Sequence, residues 1–172
     1  GGGAEAKDLA LSYVSRLGMD GGTYCALEFI GDGAGTLQMD DRLTLCNLSV
    51  ETGAKTGMFY ADGVTLRYLA AAGQKARPQV PEPCTYTREL EFDLADIVPL
   101  IAVSPRVDTV KPVQDLAGLS LDQVFIGTCT NGRYSDLARC AKIVKGKKVA
   151  VRTIVVPASR AVLEEAIRTS VL

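Results

Sequence analysis

The hydrophobic pattern of this chain switches repeatedly between the strand period of two and the helical period near 3.6. That alternation confines it to folds in which helices flank a sheet. Leu9, Ala10, Tyr13, Val14 and Leu17 recur at helical spacing ahead of Gly18, which predicts a helix over 5–17. A strand is expected over 24–30, a helix over 40–52 that stops before Gly53, and a short strand over 55–60. Asp62 is placed to cap a helix over 63–72. A strand is further expected over 85–92, another apolar run lies at 98–103, and a proline-punctuated loop follows through Pro105 and Pro112. Beyond that loop, a buried strand over 121–127 leads through a turn to a helix over 133–145. A β-branched strand over 149–156 and a helix over 159–169, with Val162, Leu163, Ala166 and Ile167 inward, complete the pattern. The fold class this predicts is α/β. Pro78, Pro81 and Pro83 crowd one stretch, so the expected division is a lobe at 1–75, a linker at 76–84 and a second lobe at 85–172.

Composition removes several chemistries. None of the 172 residues is histidine, which excludes Ser-His-Asp and Cys-His nucleophile pairs and His-ligated zinc. Nineteen Lys and Arg balance twenty Asp and Glu, so there is no electrostatic footprint for nucleic acid or anionic lipid. The basic run at 142–148 reads as a solvated helix end. No apolar stretch approaches the ~20 residues that span a bilayer. No signal peptide is visible in these residues, Gly1-Gly2-Gly3 reads as a scar or a cut point, and from the missing initiator Met an excerpt of a longer chain is expected. Gly31 to Gly35 is glycine-rich but fits neither the phosphate-loop nor the dinucleotide pattern, and is expected to be a loop.

Five cysteines form no CxxC pair, and an apolar chain of this kind does not need a disulfide framework, so a cytoplasmic setting is expected. Cys46 and Cys140 fall on apolar helical stripes and read as core; Cys25 and Cys84 carry no signal beyond their type. Cys129 differs. It follows a predicted strand and precedes a helix, where open α/β sheets place ligands and where helix amides favour a thiolate. A soft metal or an iron–sulfur cluster takes such a ligand, while a small buried turn cysteine is the competing reading. Asn47 and Glu51, four apart on the predicted helix, share one face. An amide and a carboxylate so placed suit a hydroxy acid in a cleft; the alternative is a solvated polar pair.

The run from Phe125 to Arg133, FIGTCTNGR, resembles the cluster-binding signature of the aconitase family. The run from Thr44 to Gly57, TLCNLSVETGAKTG, resembles that family's helix and following strand, in its branch of isopropylmalate dehydratase large subunits. Gly18 to Tyr24, Glu28-Phe29 and Val155 to Ser159 fall in the expected order, so the likeness covers residues 4–170. The resemblance implies three-layer α/β/α units, present here as two incomplete lobes. It implies a [4Fe-4S] cluster on three cysteines, whose open iron acts as a Lewis acid while a 2-hydroxy acid is dehydrated and rehydrated. In this branch the reaction interconverts 2- and 3-isopropylmalate in leucine biosynthesis, with a separate small subunit as partner. By position, Cys129 matches the first cluster ligand, and Asn47 and Glu51 match an amide and a carboxylate beside the cluster.

The departures matter equally. The family's other two ligands form a CxxC downstream of the Val-Pro-Ala-Ser segment, and its histidine motifs lie upstream; neither is in these residues. The chain is thus expected to be an internal piece, cluster-free and inactive alone. Homoaconitase and other 2-hydroxy-acid hydratases share the motifs, and a non-catalytic scaffold or interaction module is the competing class.

Overall fold

The computed structural model describes residues 3–172, so Gly1 and Gly2 of the expected scar lie outside the described residues. The chain forms two compact units, Gly1–Asp115 and Leu116–Leu172. Both mix helix with small sheets, so the class is α/β. Among the described residues no helix is long and apolar enough to cross a membrane.

In the first unit, helix α1 (Ala6–Leu17) buries Ala10, Leu11, Tyr13 and Val14. Its stop is the one expected: Gly18 adopts φ 75° and donates to the carbonyl of Val14 at 2.8 Å. Strand β1 (Ala26–Glu28) runs parallel to β2 (Thr56–Met58), with Ala26 opposite Thr56 and Glu28 opposite Met58. Between them lie α2 (Asp32–Thr36), α3 (Met39–Leu48) and a 3-10 turn, Ser49–Thr52. Helix α4 (Gly63–Ala71) is capped as expected, Asp62 Oδ1 accepting from the amides of Val64 and Thr65 at 3.0 and 3.2 Å. Ala10, Tyr13, Val14, Leu45 and Leu48 form the core, with Phe29, Phe59, Phe92 and Val107 packed against it.

Two local expectations are corrected. The glycine-rich stretch is the helix α2, closed by Thr36 Oγ1 donating to Gly33 O at 2.7 Å and approached by Arg42 Nη2 at 3.3 Å from Ala34 O. Residues 85–92 form no strand; 72–99 contain neither helix nor strand. That segment is tied down through side chains instead: Tyr86 donates to Glu28, and Arg16 Nη1 donates to Glu91 O at 2.8 Å. The proline-rich stretch runs inside the first unit because the chain beyond it returns to the same core. Strand β3 (Leu100–Ala102) follows and pairs antiparallel with β4 (Val110–Pro112), inside what sequence reads as loop. Leu100 donates its amide to Asp8 Oδ1 at 2.7 Å, fastening β3 to α1.

The second unit is a strand–helix–strand–helix run. Strand β5 (Gln123–Gly127) leads through a one-turn helix α5 (Thr128–Asn131) into α6 (Tyr134–Val144); β6 (Arg152–Val156) lies parallel to β5 and α7 (Arg160–Arg168) follows. Pairing runs from Gln123 opposite Arg152 to Gly127 opposite Val156. The apolar faces are less covered than expected. Phe125 is 51% exposed, and Leu163 and Ile167 on α7 are 39% and 58% exposed, although Ala166 is fully buried.

Candidate functional site

The residues singled out from sequence fall into two places, Asn47 and Glu51 in the first unit and Cys129 in the second. Asn47 is half-buried on α3, while Glu51 is exposed on the 3-10 turn that replaces the last turn of the expected helix. The sequence supplies the reason for the tightening. Ser49 Oγ donates to Leu45 O at 3.1 Å and Thr52 Oγ1 to Ser49 O at 2.8 Å, both buried. Gly53, at φ 79°, then reverses the chain into β2. A 3-10 turn winds three residues per turn, so the even i,i+4 stacking expected of Asn47 and Glu51 is altered. Tyr13 sits beneath, its hydroxyl donating to Leu45 O at 2.6 Å. Burial holds the Tyr13 phenol above its usual pKa; contact with Ser49 opposes this, and the charges of Cys46 and Glu51 add to it. Cys46 is half-buried, and burial pushes its thiol up.

Cys129 stands at the carboxyl end of β5, in the strand-to-helix position expected, and it is exposed rather than buried. Its surroundings force the backbone into an uncommon path. Thr128 adopts φ 81°, in a region that β-branched residues rarely enter. A Cβ at Gly132 would lie 2.7 Å from Thr128 O and 2.9 Å from Ala158 N, so only glycine fits against the chain leaving β6. Ala158 N donates to Gly132 O at 2.7 Å and closes the turn from below. Cys129 Sγ lies 3.9 Å from Thr130 Oγ1, and Thr130 is buried.

Sequence reading missed Asp136, the third residue of α6. Its Oδ1 accepts from Asn131 Nδ2 at 3.2 Å and its Oδ2 from the Arg133 amide at 3.1 Å. Asn131 Oδ1 and Arg133 Nε are buried without a hydrogen-bond partner among the described residues. An acidic residue three positions after a helix start was the available signal. Also missed was Glu28, at the end of β1, which accepts from both Tyr60 and Tyr86. The Tyr60 bond, followed by that of Tyr86, lowers the Glu28 pKa, and the Tyr60 phenol is pushed up to about 12.

None of the five cysteines is in a disulfide, and among the described residues no group of three or more Cys, Asp or Glu could hold a metal ion. An exposed thiol on a strained turn at the end of a strand fits one thiolate position of an iron–sulfur cluster. It does not make a cage.

The profile of the family described as "Aconitase family (aconitate hydratase)" matches residues 1–117 and 107–172. The 3-isopropylmalate dehydratase large subunit of Nitratidesulfovibrio vulgaris is 45% identical over 170 residues, covering 97% of this chain and 41% of that protein. The probable methanogen homoaconitase large subunit of Methanosarcina mazei is 45% identical over 169 residues, covering 97% and 43%. The methanogen homoaconitase large subunit of Methanocaldococcus jannaschii is 40% identical over 180 residues, again covering 97% and 43%. The chain belongs to the aconitase family. It spans about two fifths of the length of these relatives.

Proposed function

We propose that this chain is part of a hydro-lyase that dehydrates and rehydrates a 2-hydroxy acid, with 2- and 3-isopropylmalate as its substrates. The observation that carries the reading is Cys129, exposed on a strained turn at the carboxyl end of a parallel strand, within the residues that the family profile matches. Cys129 would furnish one ligand of a [4Fe-4S] cluster, the remaining cysteines coming from chain outside these residues. Such a cluster, when bound, supplies a Lewis acid that polarises the departing hydroxyl. Glu51, exposed beyond α3, would give a proton at Oε to a departing hydroxyl as the carboxylic acid and take one back from water as the carboxylate. The half-buried Asn47 amide orients the acid through hydrogen bonds at Oδ1 and Nδ2. A small subunit completes the enzyme in this reading, since the relatives are named as large subunits. Cysteines free of disulfides agree with a cytoplasmic setting.

Homoaconitase chemistry is the second reading, favoured by relatives of similar identity that carry that name. The test is turnover by the complete polypeptide with its small subunit, offered 2-isopropylmalate and homocitrate separately. Preference for isopropylmalate, and its loss in Glu51→Gln without loss of folding, supports the proposal. Full activity in Glu51→Gln removes Glu51 from the chemistry, and preference for homocitrate selects the second reading.

A further inference from the structure

We propose that Asp136 is the positioning residue of the turn that presents Cys129. A carboxylate at the third residue of a helix ordinarily does one thing, which is to accept from the backbone N–H of the capping residue. Asp136 does this through Oδ2 and the Arg133 amide, at 3.1 Å. Its other oxygen is spent on a side chain that helix capping does not require, Asn131 Nδ2 at 3.2 Å. The second bond fixes Asn131 next to a backbone that needs holding, with Thr128 at φ 81° and Gly132 pressed against Ala158 N. It also fixes which end of the Asn131 amide is spent. Nδ2 goes to Asp136, so Oδ1 is left as a buried acceptor with no partner among the described residues. One carboxylate therefore locks both ends of the segment that follows Cys129. This inference rests on Cys129 being a ligand, because only then does its placement bear on function.

Helix capping alone and turn positioning are separated by Asn131→Ala, which removes the second bond and leaves the first. The experiment uses the complete polypeptide without iron, labelled briefly with a maleimide and analysed by peptide mass spectrometry. All five cysteines of these residues are read together, Cys25 and Cys84 serving as internal references. Asn131→Ala should raise the labelling rate of Cys129 about threefold, and adding it to Asp136→Ala should raise the rate no further than Asp136→Ala alone, because the carboxylate variant has already broken the Asn131–Asp136 contact. Amide exchange over 127–134 should rise about tenfold in the same variants, with α1 unchanged. The melting temperature of Asn131→Ala should stay at the parent value. A Cys129 rate that is unchanged in Asn131→Ala, or additive effects in the double variant, would overturn the inference and leave Asp136 a helix cap. The ligand role of Cys129 is judged separately by cluster content, so either idea can fail while the other stands.

Discussion

Arg42 and Asp62 meet face to face, Nη1 on Oδ1 and Nη2 on Oδ2, both at 2.7 Å. Arg42 is almost completely buried, lies over the Phe59 ring, and also donates to Leu37 O, while the Asp62 side chain keeps 40% of its surface in solvent. The same carboxylate caps α4. Asp62→Ala should therefore cost about 2–3 kcal/mol in chemical denaturation, because it takes the carboxylate from a buried guanidinium as well as removing a cap. The Arg42 bond holds Asp62 at a pKa of about 2, below its ordinary 3.8. A depressed carboxylate contributes stability that is complete above its unfolded pKa and lost as pH falls toward the folded one. The stability gap between the parent and Asp62→Ala should accordingly shrink between about pH 4 and pH 2.

Asp8 carries the opposite sign. It is buried, accepts from the amides of Glu5 and Leu100 at 2.7 Å each, and burial raises its pKa despite the Leu100 bond. A raised carboxylate contributes stability present below its unfolded pKa of 3.8 and lost as pH rises through the folded value. Asp8→Asn keeps one acceptor oxygen and loses the other, so it should cost about 1 kcal/mol. That cost should narrow as the pH is raised from about 4, which denaturation of both proteins across pH measures directly.

Tyr86 anchors the irregular segment 72–99 to Glu28 at the end of β1. Tyr86→Phe removes that contact while keeping the ring. Cleavage by trypsin after Lys75 and Arg88 should accelerate by about fivefold, with little change in the core, because local opening governs proteolysis. An unchanged cleavage rate would assign the ordering of this segment to Phe92 and Arg16 instead, whose guanidinium lies 4.7 Å from the ring centre.

Gly132→Ala tests the steric limit on the Cys129 turn. The added carbon would meet three backbone atoms, Thr128 O, Ala158 N and Val156 O, at 3.0 Å or less. The turn has no flexible side chain to yield, so about 1–3 kcal/mol of destabilisation should follow. Gly35→Ala, with nothing within 4 Å, is the matched control and should be near neutral or slightly stabilising.

Local chemistry was legible where a residue acts on its own neighbours. Gly18 ends α1 and Asp62 caps α4, as their positions in the sequence predict. The alternation of strand and helix gave the α/β class. Contacts made across long separations were not legible. Asp8 reaches Leu100, Tyr86 reaches Glu28 and Arg42 reaches Asp62, and nothing local marks either partner. For that reason 85–92, which alternates like a strand, has no strand partner, and the division into units falls beyond it. At the candidate site, motif order singled out Cys129, Asn47 and Glu51, whose roles remain proposals. The 3-10 turn under Glu51 and the clamp from Asp136 depend on hydroxyl and carboxylate contacts that spacing does not reveal.

The role proposed for Cys129 is that of a cluster ligand in a hydro-lyase. Its most direct test is the iron and sulfide content of the complete polypeptide, purified anaerobically as the parent and as Cys129→Ser, with Cys140→Ser as control. Four irons per parent chain are expected, about as many in Cys140→Ser, and loss of the [4Fe-4S] signal in Cys129→Ser with the fold intact. A Cys129→Ser protein that keeps its cluster and turns over substrate at the parental rate would contradict it.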